Sequence, residues 1–172
     1  KELRELVNRF ANALSGLGVK KGDRVALLLL NSPQYIVAYL GVLTLGAVVT
    51  PVSPVYTSQE VRHQLKDSGA NTVICQDILY DNVAKTGLKL DNIILTGIDD
   101  FLPKLKKMFA KKIIAKAYGG MQVPDAAMIA REGLLNFMEL IKSHQPKPPG
   151  VDIDPKEDLA ALPYTGGTTG LP

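Results

Sequence analysis

Residues 24 to 33 read Arg-Val-Ala-Leu-Leu-Leu-Leu-Asn-Ser-Pro, a short apolar run followed at once by polar residues and a proline. Continuous apolar runs of this length are typical of strands that are covered on both faces, as in parallel sheets. Ser32 is suited to cap a helix, and Pro33 to occupy its first position. The stretch therefore predicts a buried strand that passes directly into a helix.

The same strand and helix alternation extends to both sides of this stretch. Further strands are predicted at residues 47–52, 71–76 and 92–95, and helices at residues 3–17, 33–46 and 58–67. Thr57 and Glu60 have the spacing of a capping box at the start of the third helix, and Gly69 is placed to end it. A short helix is expected after Asp77. The alternation predicts an α/β fold with a layered, largely parallel sheet and flanking helices.

The character of the chain changes after Gly97. We expect residues 1–97 to form the α/β part, residues 98–150 a Lys-rich helical insertion with a proline-rich linker, and residues 151–172 a strand leading into a loop. Within these segments, residues 125–142 have a helical pattern and residues 159–164 a strand-like one. The linker prolines favour an extended spacer.

Composition places the chain among globular proteins, with 46% hydrophobic and 22% charged residues out of 172. The single cysteine, Cys75, lies in an apolar run, so we expect a buried thiol and a reducing, cytoplasmic compartment. The uncharged stretch 33–59 contains a helix too short to span a membrane, and we expect that helix to be buried on all sides. His63 and His144 have no further ligands nearby at metal-binding spacing.

Residues 164 to 172 read Tyr-Thr-Gly-Gly-Thr-Thr-Gly-Leu-Pro and follow the last predicted strand. Glycines let backbone N–H groups converge on an anion, and threonine hydroxyls can reach phosphate oxygens or Mg²⁺. From composition alone, a flexible surface loop is an equally good interpretation. The Walker A motif does not fit, because no lysine follows Gly170.

This segment resembles the phosphate loop of the adenylate-forming superfamily, Tyr-Thr-Ser-Gly-Thr-Thr-Gly-x-Pro-Lys-Gly, with Gly166 in place of the usual serine. Residues 22–26, 31–33, 40–49, 51–60 and 67–70 are also similar to the N-terminal region of that family. The Lys-rich insertion resembles that of long-chain fatty-acid CoA ligases of bacteria and archaea. The resemblance implies an incomplete part of the large N-terminal domain, cut off inside the loop and inactive alone.

The resemblance also implies a reaction and a site. ATP and a fatty acid would form an acyl-adenylate, and CoA would then displace AMP, with Mg²⁺ as the metal. Thr165 would lie near Mg²⁺, and the whole phosphate-binding set would be Thr165, Gly166, Gly167, Thr168, Thr169 and Gly170. The alternatives are an adenylation enzyme for an aryl or amino acid, and a non-catalytic module that docks on a membrane or another protein.

Residues 101–124 contain six lysines and no acidic residue, whereas the whole chain has a net charge of +3. On a helix, the apolar side chains of this segment fall on one face, and another face carries Lys104, Lys107 and Lys111. The segment is interpreted either as a solvated surface helix or as a peripheral contact with anionic membrane. No recognition motif supports binding to nucleic acid.

Overall fold

The computed structural model describes residues 1–103 and 123–164. These residues form one five-stranded sheet in the order β2-β1-β3-β4-β5, and all neighbouring strands are parallel. The strands are β1 (Arg24–Leu28), β2 (Val48–Pro51), β3 (Thr72–Gln76), β4 (Asn92–Thr96) and β5 (Leu135–Asn136). The predicted α/β fold with a largely parallel sheet is confirmed.

Helices cover both faces of the sheet. They are α1 (Glu2–Gly16), α2 (Pro33–Thr44), α3 (Ser58–Ser68), α4 (Tyr80–Ala84), α5 (Ala126–Glu132) and α6 (Phe137–Ser143), with a 3-10 turn at Asp77–Leu79. Helices α1, α2 and α6 pack on one face, and α3, α4 and α5 on the other. This arrangement follows from the parallel pairing, because each crossover must return over a face of the sheet.

The two halves of the core alternate along β1. Leu27 belongs to the cluster under α1 and α2, whereas Ala26 and Leu28 belong to the cluster under α3. All three side chains are fully buried. A strand without an exposed face has no need of polar residues, which explains the continuous apolar run that predicted it.

The predicted helix starts are also confirmed. The side chain of Ser32 accepts a hydrogen bond from the Tyr35 N–H, with Pro33 at the first position of α2. Thr57 and Glu60 form the reciprocal capping box of α3, which satisfies N–H groups that the helix itself leaves unpaired. Gly69 ends α3 in the left-handed conformation, at φ 67°.

The single helical stretch predicted over residues 125–142 is wrong. Gly133, at φ 65°, ends α5, and the chain then forms the short strand β5 before α6 begins. Leu135 is paired with Ile94 of β4, so the break places a fifth strand on the sheet. The helical pattern continued across this break although α5 and α6 pack on opposite faces of the sheet, because periodicity does not show which face an apolar residue meets.

Two further expectations need correction. The strand predicted at residues 159–164 is reduced to one parallel bridge, between Val49 and Ala161. Helix α2 is not buried on all sides, because Ile36 and Leu40 are 47% and 39% exposed. Only the side that faces α1 and the sheet is covered. Within the described part of the chain, no helix combines the length and apolar character that a membrane span requires.

Candidate functional site

The phosphate-binding residues predicted from the sequence, Thr165 to Gly170, lie outside the described residues, as do Lys104, Lys107 and Lys111. The structure does describe the segment that leads to the loop, up to Tyr164. This approach segment, residues 151–164, is attached to the α/β core at four places. These attachments determine the position of Tyr164, the last described residue before the glycine- and threonine-rich segment.

The first attachment is made by Lys21, in the turn before β1. Its Nζ atom lies 2.6 Å from Asp158 Oδ2 and donates a hydrogen bond of 2.8 Å to the Asp152 carbonyl. The hydrogen bond from Lys21 is the main reason that the pKa of Asp158 is below its usual range, and a backbone N–H from Asp154 adds to it. One lysine therefore holds two points of the approach segment.

The second attachment is close packing against Gly46, the residue that links α2 to β2. Gly46 has φ 64°, and a Cβ atom there would lie 3.0 Å from Lys21 Cγ and 3.4 Å from Ile153 Cγ1. The left-handed conformation favours glycine, and a Cβ atom would also force its neighbours to shift by a few tenths of an ångström. The approach segment lies directly on the turn that begins β2.

The third attachment is backbone pairing beside β2. The Val49 N–H donates to the Ala160 carbonyl at 3.0 Å, and the Leu162 N–H donates to the Val49 carbonyl at 2.8 Å. The two bonds make the segment run parallel to β2, towards the edge where the parallel strands end. Ligands of open parallel sheets bind outside that carboxyl edge.

Tyr164, the last described residue, makes a side-chain contact with α3. Its hydroxyl donates a hydrogen bond to Asp67 Oδ2. Burial, followed by the hydrogen bond with Asp67 and its charge, raises the pKa of Tyr164 to about 12. The phenol is therefore a neutral donor at physiological pH.

Three buried glutamines were not predicted as site residues. Their side-chain N–H groups donate to carbonyls where strands end: Gln34 to Gly97 at 2.6 Å, Gln64 to Pro51 at 2.7 Å, and Gln76 to Thr96 at 2.9 Å. Within the described residues, their amide oxygens accept no hydrogen bond. The available signal was a polar residue inside an otherwise apolar helix face or strand. These amides satisfy backbone groups and fix the loops at the carboxyl edge.

The cysteine and the two histidines show no arrangement with other described residues that suggests a catalytic role. Cys75 is fully buried, as predicted, and burial raises the pKa of its thiol. His144 contacts the Leu140 carbonyl through Nδ1 at 2.8 Å, and His63 is partly exposed on α3. Among residues 1–103 and 123–164, no three histidine, cysteine or carboxylate side chains are grouped to hold a metal ion.

A parallel sheet followed in sequence by a glycine- and threonine-rich segment is typical of nucleotide-binding proteins, and comparison with known proteins identifies the family. A family model described as AMP-binding enzyme matches residues 1–172. The chain belongs to this family of adenylate-forming enzymes.

Two curated relatives illustrate the range of the family. The chain is 39% identical to a long-chain-fatty-acid–CoA ligase of Escherichia coli O6:H1, with 99% of the chain aligned to 30% of that protein. It is 36% identical to 4-coumarate–CoA ligase 2 of Petroselinum crispum, with 98% of the chain aligned to 25% of that protein. The chain thus spans less than a third of the length of these relatives.

A solved structure agrees in fold. A long-chain-fatty-acid–CoA ligase from Archaeoglobus fulgidus matches with a TM-score of 0.71 and 26% identity. The match covers 98% of this chain and 28% of the other chain. The described sheet and helices therefore match one part of that ligase.

Proposed function

We propose that the whole protein activates a fatty acid as its acyl-adenylate and transfers the acyl group to CoA. The observation that carries the proposal is the family match over residues 1–172, which includes the loop motif. The relative from E. coli, a long-chain-fatty-acid–CoA ligase, has 39% identity and supports the choice of a fatty acid. This chain is proposed to supply the phosphate-binding loop, and its remaining segments, 1–97, 98–150 and 151–164, the scaffold that carries it.

The reaction needs no nucleophile from the protein. A carboxylate oxygen of the substrate attacks the α-phosphorus of ATP, and the bond to the bridging oxygen breaks, releasing pyrophosphate. The CoA thiolate then attacks the acyl carbon, and AMP leaves with the former carboxylate oxygen. The protein must orient the phosphates and offset their charge, and this is the work proposed for the loop.

Within the loop, each residue type has a proposed task. Gly167 and Gly170 let the backbone curve around the phosphates, and Thr168 and Thr169 donate hydroxyl hydrogen bonds to β- and γ-phosphate oxygens. Thr165 offers a hydroxyl oxygen, a ligand type that suits Mg²⁺, whose positive charge would offset that of the phosphates. Gly166 would contribute only its N–H, because it has no side-chain hydroxyl.

The described contacts support this assignment in one respect. Residues 151–164 are attached to the core by Lys21, by Gly46 and by backbone bonds to Val49, so the loop would start from a fixed point. Binding groups held by a rigid scaffold lose less entropy when the ligand binds. A loop on such a support suits polyphosphate binding better than a mobile surface loop.

The test is ATP–pyrophosphate exchange by the protein encoded by the complete reading frame, with fatty acids of increasing chain length. We expect exchange that depends on both a fatty acid and Mg²⁺. We expect none from residues 1–172 alone, because the Lys that follows the motif in relatives and the later nucleotide-binding motifs are not in this sequence. Exchange by residues 1–172 would show that those segments are dispensable.

A second candidate substrate is an aromatic acid. The relative from P. crispum, a 4-coumarate–CoA ligase, is 36% identical, close to the value for the fatty-acid ligase. The same exchange assay with 4-coumarate in place of a fatty acid separates the two candidates. A higher kcat/KM for the aromatic acid would replace the fatty-acid assignment while retaining acyl-adenylate chemistry.

A further inference from the structure

We propose that Tyr164 and Asp67 are positioning residues, and that the hydrogen bond between them fixes the point at which the phosphate-binding loop begins. This inference rests on the proposed function, because it assumes that residues 165–170 hold ATP phosphates. Neither side chain would touch the nucleotide. Each would act through the backbone of the loop.

The first argument is the position of the contact along the chain. Backbone pairing with β2 ends at Leu162, whose N–H donates to the Val49 carbonyl at 2.8 Å. Pro163 is exposed and has no N–H to continue the pairing. Tyr164 therefore makes the last described attachment before the loop, and its partner Asp67 lies 97 residues earlier.

The second argument is the rigidity of the helix that carries Asp67. The neighbouring Leu65 and Ser68 are buried, and Gly69 ends the helix in a defined left-handed cap. Side chains on a packed helix hold a partner more accurately than side chains on loops. The carboxylate of Asp67 is therefore a fixed acceptor for the Tyr164 hydroxyl.

The third argument is that helix stability does not explain an acidic residue at this position. Asp67 lies in the last turn of α3, where a negative charge is disfavoured by the helix dipole. A hydrogen bond from a neutral phenol to a carboxylate is among the stronger protein hydrogen bonds, and it offsets the unfavourable interaction of Asp67 with the helix dipole. The gain from Asp67 lies in the contact with Tyr164 rather than in the helix.

The test compares variants of the protein encoded by the complete reading frame: Tyr164→Phe, Asp67→Asn and the double variant. Losing a hydrogen bond of this kind should lower kcat/KM for ATP by roughly tenfold in each single variant, and by no more than that in the double. The KM for the carboxylic acid should stay within about twofold, because the loop is proposed to hold the phosphates and not the acid. Asp67→Glu, which keeps the carboxylate, should recover most of the activity.

Two matched controls separate positioning from general damage. Tyr39→Phe removes a hydroxyl from a tyrosine that stacks on Tyr35, and Asp81→Asn removes an exposed carboxylate that pairs with Lys85. Both should leave kcat/KM for ATP unchanged. Thermal unfolding midpoints of all variants should agree with the wild type within about 2 °C, since the contact is at the surface.

The outcomes are distinguishable. An active wild type with Tyr164→Phe and Asp67→Asn unchanged in kcat/KM for ATP would overturn the inference and leave the proposed function intact. Additive losses in the double variant would also overturn it, because the two residues would then act separately. A wild type that forms no adenylate with any carboxylic acid would overturn the proposed function and this inference together.

Discussion

Replacing Phe137 by alanine tests whether the chain after residue 123 belongs to the same folded core as α1. Phe137 and Phe10 are both fully buried, with ring centroids 4.4 Å apart and an interplanar angle of 42°. Truncating a buried Phe costs about 3 to 5 kcal/mol, from lost burial and the cavity that remains. At about 2 to 4 °C per kcal/mol for a domain of this size, the thermal midpoint should fall by roughly 6 to 20 °C.

The assay is thermal or urea unfolding of the wild type, Phe137→Ala, Phe10→Ala and the double variant. Beyond area burial, an aromatic pair contributes about 0.5 to 1.5 kcal/mol. The losses of unfolding free energy in the two single variants should therefore add up to more than the loss in the double variant, by about that amount. Leu159→Ala is the control, because Leu159 is 52% exposed and its truncation should cost no more than about 0.5 kcal/mol. A loss below about 1 kcal/mol for Phe137→Ala would refute the packing of α6 on α1.

Three further predictions concern the site and the surface. Thr165→Ala in the whole protein should lower the rate of adenylation without moving the unfolding midpoint, and unchanged exchange kinetics would remove this hydroxyl from the site. Burial and Asp67 raise the pKa of Tyr164 from 10.0 to about 12. The neutral phenol is therefore fully stabilised in the folded state below pH 10, and this contribution is lost as the pH rises to about 12. The tyrosinate absorbance of the wild type minus that of Tyr164→Phe should report ionisation of Tyr164 near pH 12. Ionisation near pH 10 would contradict the contact with Asp67. Residues 101–117 should bring the protein to anionic vesicles at low salt but not at about 1 M, where the Debye length is about 3 Å. The variant to compare has Glu in place of Lys104, Lys107 and Lys111. If it sediments with anionic vesicles as much as the wild type does, these lysines form an ordinary solvated surface.

Most of the fold was predictable because its first four strands and first three helices carry local signals. The run ending at Leu28 has no polar residue after Arg24, and the caps at Ser32 and Thr57 make hydrogen bonds within three residues. Such features depend only on neighbours in sequence. Periodicity and capping rules are therefore sufficient to place them.

The missed features depend on contacts between distant residues. Leu135 and Asn136 form a strand only because β4 is there to pair with, and two residues carry no period of their own. The hydrogen bond of Tyr164 joins residues 97 positions apart, and the amide of Gln34 reaches Gly97 across 63 positions. Sequence alone predicted a phosphate-binding loop through its resemblance to a family. It gave no indication of the contacts that Tyr164 makes just before that segment.

The most direct test of the central claim follows an oxygen atom. The protein encoded by the complete reading frame is incubated with ATP, CoA, Mg²⁺ and a fatty acid whose carboxylate carries heavy oxygen, and the products are analysed by mass spectrometry. If the carboxylate attacks the α-phosphorus, heavy oxygen appears in AMP and none appears in pyrophosphate. Heavy oxygen in inorganic phosphate, with ADP as the other product, would mean attack on the γ-phosphorus and would contradict the acyl-adenylate assignment.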